Sequence, residues 1–112
     1  MNIKDQKKTP FSIGIVGGGR TCKFFLDLLE TTSFPYLGIK ILWVCDINPD
    51  AQGMVLARKL GILTAESFQE LFDNNKPDAV IELTNNKSLP ELIAMRPDGV
   101  GVIEHNVGRL LR

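Results

Sequence analysis

"FSIGIVGGGRTCKFF", residues 11–25, decides how the rest of the chain is read. Its first six residues are apolar and rich in β-branched side chains, as a buried strand requires. Gly17, Gly18 and Gly19 end that strand, and from Arg20 onward apolar residues return at helical spacing. At a strand–glycine turn–helix junction, backbone N–H groups can approach a diphosphate without side-chain bulk in the way. The helix N-terminus adds unpaired donors and partial positive charge. Gly17 and Gly19 match the first two glycines of the G-x-G-x-x-G fingerprint, but Cys22 stands in place of the third. That third glycine serves helix–strand packing, so a small residue there is tolerable. Two readings of the turn follow. Gly17, Gly18, Gly19 and Arg20 form a dinucleotide cradle, or the glycines serve packing alone.

On the C-terminal side, a helix is expected from Arg20 to Glu30, with Cys22, Phe25, Leu26, Leu28 and Leu29 on its apolar face. Phe24, Phe25, Leu28 and the later Trp43 are expected in the core. Residues 31–38 ("TTSFPYLG") read as a loop, and residues 39–46 ("IKILWVCD") as a second buried strand. Asn48 as cap and Pro49 at the first helical position open a helix that reaches Leu60 and stops at Gly61. A short strand is expected at 62–64, and Ser67 with Glu70 forms a capping box for the next helix. "AVIEL" at 79–83 is a strand, Ser88 caps a helix from Leu89 to Met95, and "VGVIE" at 100–104 is the last strand. Such alternation predicts a doubly wound α/β domain with a mainly parallel sheet of about five strands and helices on both faces. Residues 1–10 read as a flexible tail, 11–106 as the domain, and 107–112 as the start of a helix leading onward.

With 112 residues the chain is long enough for one core. Its 13 basic and 13 acidic side chains cancel, which removes the basic field that nucleic acid or an anionic membrane would need. No apolar run approaches the roughly 20 residues of a membrane span, and "MNIKDQKKTP" carries no signal-peptide core. Cys22 and Cys45 alone make neither a zinc site nor a disulfide framework. A cytoplasmic location is the expectation.

Ligands of such sheets bind outside the carboxyl ends of the strands. Asp46 ends the second strand, where a carboxylate accepts from both adenosine ribose hydroxyls and repels a 2′-phosphate, which favours NAD over NADP. The competing reading makes Asp46 a cap for the following helix. Thr84, Asn85 and Asn86 follow the fourth strand, either facing the far side of a cofactor or simply forming a turn. His105 is the only histidine and reads as structural. Cys22 reads as a small buried hydrophobe rather than an activated thiol.

With Gly17–Gly19, Asp46 and "IELTNN" in place, residues 11–106 resemble the N-terminal NAD(P)-binding Rossmann domain of Gfo/Idh/MocA and homoserine dehydrogenase type proteins. "GIVGGGR" at 14–20, "DINPDAQG" at 46–53, "VIELT" at 80–84 and "RLL" at 109–111 resemble more closely the small Rossmann domains at the N-termini of bacterial PAS-containing sensor histidine kinases. The second resemblance implies a non-catalytic, NAD(H)-binding sensory module in signal transduction. The first implies the cofactor-binding half of a two-domain oxidoreductase. In either case Gly17, Gly18, Gly19 and Arg20 would hold the pyrophosphate, Asp46 the ribose, and Thr84 and Asn85 the far side. Oxidoreductases of the first type place an acid-Lys-Pro triplet near the end of the fifth strand, whereas Glu104-His105-Asn106 stands here. "NVGRLLR" still reads as amphipathic helix at Arg112, so downstream domains of the same polypeptide are the expected partners, with a homodimer left open.

Overall fold

Five strands alternate with four helices among the residues that the computed structural model describes, 11–32, 38–84 and 87–104. In chain order they are β1 (Phe11–Val16), α1 (Arg20–Thr32), β2 (Ile39–Cys45), α2 (Gln52–Lys59), β3 (Leu63–Ala65), α3 (Phe68–Asn74), β4 (Ala79–Glu82), α4 (Leu89–Met95) and β5 (Gly101–Glu104). The strands form one sheet in the order β3-β2-β1-β4-β5, and every pairing is parallel. This is a Rossmann-like α/β fold. Strand order reverses between β1 and β4, which opens a crevice beyond their carboxyl ends.

Alternation within the strands feeds two cores. Ile13, Ile15 and Val44 pack under α1 and α2 with Cys22, Leu26, Met54 and Ala57. Val16, Trp43, Cys45 and Val80 face the other way, toward Leu71, Phe72 and Leu92 of α3 and α4. Trp43 organises the second core. It is fully buried, meets Phe72 edge-on with ring centroids 5.8 Å apart, and donates its indole N–H to Asn75 O at 2.8 Å. The ring lies over Gly14, its register partner on β1, where an added Cβ would come within 2.5 Å of Trp43 Cζ2. A register shift between Ile13 and Gly14 brings Trp43 to that position.

Three local expectations change. Phe24 and Leu28 are 67% and 45% exposed rather than core. The buried stripe of α1 is centred on Cys22 and Leu26, and at 3.6 residues per turn Phe24 falls on the opposite side of the helix. Helix α2 begins at Gln52 rather than at Pro49. Asn48 Oδ1 accepts the Asp50 N–H at 2.9 Å and Asn48 O accepts the Ala51 N–H at 3.1 Å, so residues 48–51 close a turn first. Neither Ser67 nor Ser88 makes a side-chain cap bond, although both stand at the cap positions of their helices. The stop at Gly61 is as read: with φ of 77°, Gly61 donates to Arg58 O and Ile62 to Ala57 O, the paired bonds of a Schellman motif. Residues 1–10, Asn85, Asn86, His105, Asn106 and 107–112 fall outside the described residues.

Gly14→Ala forces a methyl group into the Trp43 ring. Unfolding in urea is expected to show a loss of about 1–3 kcal/mol, together with altered emission from Trp43.

Candidate functional site

A half-open cleft of about 660 Å³ lies over the carboxyl ends of β1, β2 and β4. Val16, Gly17, Gly19, Cys45, Asp46 and Ile47 line one part of it, and Leu83, Thr84, Lys87 and Ser88 another. Of the residues singled out in the sequence, Gly17, Gly19, Asp46 and Thr84 meet here. Arg20 is exposed at the first position of α1 and is not among the lining residues. Gly18 is buried beneath the turn.

The three glycines do different work. Gly17 has φ of 112°, a backbone that disfavours any side chain, and a Cβ there would sit 3.0 Å from the Leu83 carbonyl carbon. Its N–H donates to Cys45 O at 2.8 Å, tying the turn to β2. Gly18 is enclosed, since a Cβ would meet Met54 Cγ at 2.6 Å. Its N–H donates to Asp46 Oδ2 at 2.7 Å, and its carbonyl accepts from Gly53 N at 2.6 Å and Met54 N at 3.2 Å. Gly19 is different again. Nothing lies within 4 Å of a Cβ built on it, and its carbonyl accepts from Lys23 N at 3.0 Å as the first bond of α1. Gly17 and Gly19 are the residues of the turn that line the cleft, and of the two only Gly19 has open space where a side chain would stand.

Cys22, at the third fingerprint position, is fully buried. A Cβ on Gly53 would lie 2.7 Å from both Cβ and Sγ of Cys22 and 2.7 Å from Gly18 O. The Cys22 side chain is thus accommodated by a glycine in the first turn of α2, at a contact between the two helices.

Asp46 does not cap α2. Its Oδ1 accepts the Asn48 N–H at 2.8 Å while Oδ2 holds Gly18. A carboxylate offers about four acceptor sites, so both oxygens keep capacity for further donors, such as a pair of ribose hydroxyls. The carboxylate also acts on its surroundings. Burial pushes the Cys22 thiol up from 9.0 to about 12, with the Asp46 charge adding to the shift. Cys45 is likewise raised to about 12, by burial first and then by Asp46 and Glu70. Both cysteines are inert thiols.

Sequence reasoning overlooked a second carboxylate. Glu82 ends β4 with 0% exposure and accepts from the Thr84 N–H at 3.0 Å, the Thr84 hydroxyl, and the Ser88 N–H at 3.2 Å. The signal was available: an acid inside "AVIEL" is an ionisable group in an apolar run, and such groups are buried only when partnered. Glu66, Ser67, Gln69 and Glu91 also line the cleft. They were missed because nothing local in the sequence brings the start of α3 and the face of α4 to this edge. Among the described residues, no cluster of three His, Cys, Asp or Glu side chains is placed to hold a metal ion, and no helix is long and apolar enough to cross a membrane.

No family model matches the chain. Among curated proteins, acetaldehyde dehydrogenase 1 of Mycobacterium sp. (strain KMS) is 31% identical over 75 residues, which cover 65% of this chain and 23% of that protein. The chain therefore matches only about a quarter of that relative's length. Among solved structures, apo scyllo-inositol dehydrogenase from Lactobacillus casei superposes with a TM-score of 0.66 at 22% identity, covering 87% of this chain and 28% of that one. An NAD-binding protein from Listeria innocua gives 0.63 at 26% identity, covering 86% and 27%. The WlbA dehydrogenase from Chromobacterium violaceum, solved in complex with NADH and UDP-GlcNAcA, gives 0.57 at 23% identity, covering 70% and 22%. These likenesses show that the fold is Rossmann-like.

Unfolded thiols ionise near 9.0 and these two near 12 when folded. The unfolded chain therefore releases protons first as pH rises, and stability falls from about pH 9 toward 12. Urea midpoints measured across that range should drop, and the drop should be shallower in the Cys22→Ala/Cys45→Ala double variant.

Proposed function

We propose that this chain is an NAD(H)-binding domain whose cofactor lies across the β2–β1–β4 edge. The observation that carries this reading is a cradle from which only a side chain has been left out. Gly19 opens onto the cleft with no atom within 4 Å of its missing Cβ, and Asp46 stands beside it with acceptor capacity to spare. Gly19 and the first turn of α1 offer N–H donors to a pyrophosphate, with Arg20 as the adjacent cation. Asp46 takes the adenosine ribose, Gly17 and Gly18 hold the turn in shape, and Thr84 with Asn85 meets the second nucleoside. The nicotinamide of a bound dinucleotide supplies hydride exchange; the residues named here bind and orient it.

The likeness to dehydrogenases favours the cofactor-binding portion of a two-domain oxidoreductase, with NAD as its cofactor, over the sensory module that the kinase resemblance implies. One feature supports the sensory reading: Glu104-His105-Asn106 lacks the lysine of the acid-Lys-Pro triplet. The residues following Arg112 in the gene distinguish the two, since a mixed α+β segment fits the enzyme and a PAS or kinase segment fits the sensor.

Energy transfer from Trp43, the single tryptophan, reads NADH and NADPH binding directly, and calorimetry reads NAD+ and ADP. Titration with NADH, NAD+, NADPH and ADP should show NADPH binding more weakly than NADH, because its 2′-phosphate meets Asp46. Absence of binding by all four at millimolar concentration would falsify the proposal. Gly19→Ala provides the sharper check. It should leave stability within about 0.5 kcal/mol, as a substitution into open space does, yet weaken NADH by roughly tenfold or more by filling the space the ligand uses.

A further inference from the structure

We infer that Glu82 is a positioning residue, a buried brace that ties Thr84 to the start of α4 and fixes the face that Thr84 presents to the second nucleoside of a dinucleotide. The inference rests on the NAD(H) reading above and extends it to a residue with no direct contact to the ligand.

Packing alone does not account for an acid at this position. Glu82 sits in a row across the sheet with Ala65, Cys45, Val16 and Glu104, and its neighbour on the inner side is the apolar Val16. Its exposure is 0%. Burying a carboxylate there costs more than burying an aliphatic side chain of similar size, so what the acid does for its partners must set its value. Those partners bracket the Asn85–Asn86 pair. On one side are the Thr84 N–H, at 3.0 Å, and the Thr84 hydroxyl; on the other is the Ser88 N–H, at 3.2 Å. The Ser88 N–H also reaches Thr84 Oγ1 at 3.1 Å. One carboxylate therefore ties Thr84 to Ser88 and stands in for the cap that the Ser88 side chain does not make.

The bonding also sets the face that Thr84 presents. Its hydroxyl proton is donated inward to Glu82, and its methyl group turns toward the glycine turn, 3.1 Å from where a Gly17 Cβ would stand. Along the sheet edge the order β2, β1, β4 puts Asp46, the glycine turn and Thr84 in succession. With the adenosine ribose at Asp46 and the pyrophosphate at β1, Thr84 belongs to the other half of the ligand. Glu82 consequently governs that half and leaves the adenosine half alone.

Comparing two ligands tests this. ADP reports the adenosine and pyrophosphate contacts, and NADH reports those plus the second nucleoside. Glu82→Gln keeps the shape but replaces one acceptor oxygen with a donor, and Glu82→Leu removes the polar brace while filling the space. Glu82→Gln should melt close to the parent, whereas Glu82→Leu, which takes the acceptor from the Thr84 and Ser88 N–H groups, should melt lower. Both should bind NADH roughly tenfold more weakly while ADP stays within about twofold, as expected for loss of one or two hydrogen bonds to the turn. Equal weakening of ADP and NADH would mean a general fold effect and overturn the inference, as would NADH affinity unchanged in both variants. Should Glu82→Leu fail to fold, the ligand comparison in Glu82→Gln decides. A parent chain that binds neither ligand overturns the dinucleotide reading itself, a result separable from the other two.

Discussion

The bond from the Gly18 N–H to Asp46 Oδ2, 2.7 Å long, is the constraint on which the upper edge of this molecule depends. Gly18 lies between β1 and α1, Asp46 between β2 and α2, and the same glycine accepts the Gly53 and Met54 N–H groups through its carbonyl. One residue, through both its backbone groups, thus fastens two strand–helix junctions to each other. α2 needs no side-chain cap because the glycine turn supplies the acceptor. It follows that the glycine turn and Asp46 cannot shift independently. An acid at position 46 is part of the turn before any ligand arrives, and the ribose contact proposed for it would draw on lone pairs left over from that task.

The same junction shows how Cys22 is housed at the third fingerprint position. Its side chain is fully buried against the first turn of α2, where Gly53, also close to Gly18 O, lacks a side chain and leaves room for it. A pattern that scans only residues 14–22 registers a defect and does not see the glycine on the next helix that accommodates Cys22.

This distinction marks what could be read from the sequence. Strand order, parallel pairing and the position of the cleft follow from apolar runs separated by helices, and those runs are local signals. Gly17, Asp46 and Thr84 were legible because each ends a strand at the edge where ligands of such sheets bind. Cap residues were less so. Asn48, Ser67 and Ser88 have the right chemistry at the right spacing, yet the N–H groups at these helix starts bond to Gly18 O, Glu82 and nearby backbone, which sequence spacing does not reveal. Phe24 and Leu28 misled for a related reason: α1 is apolar around more of its circumference than the sheet covers. Gly14 was invisible as a packing residue because its partner, Trp43, reaches it only through the register shift.

Asp46 and Glu82 now appear as two forms of one device. Each is an acid at the carboxyl end of a strand flanking β1, and each accepts backbone N–H groups from the turn beside it. Short turns at a sheet edge expose donors that water would otherwise satisfy, and a carboxylate satisfies several of them from one anchored point with charge-assisted bonds. The consequence for ligand binding is electrostatic. Asp46, Glu66 and Glu91 line the cleft against Lys87, and Glu82 lies beneath it. A pyrophosphate entering there meets acids on several sides, so net charge does not draw it in. In the proposed binding mode its place is secured by donors at short range, the N–H groups at Gly19 and the start of α1, in a turn whose shape Asp46 already holds. Directional bonds from a fixed backbone would then select the proposed ligand, and the two carboxylates keep that backbone fixed.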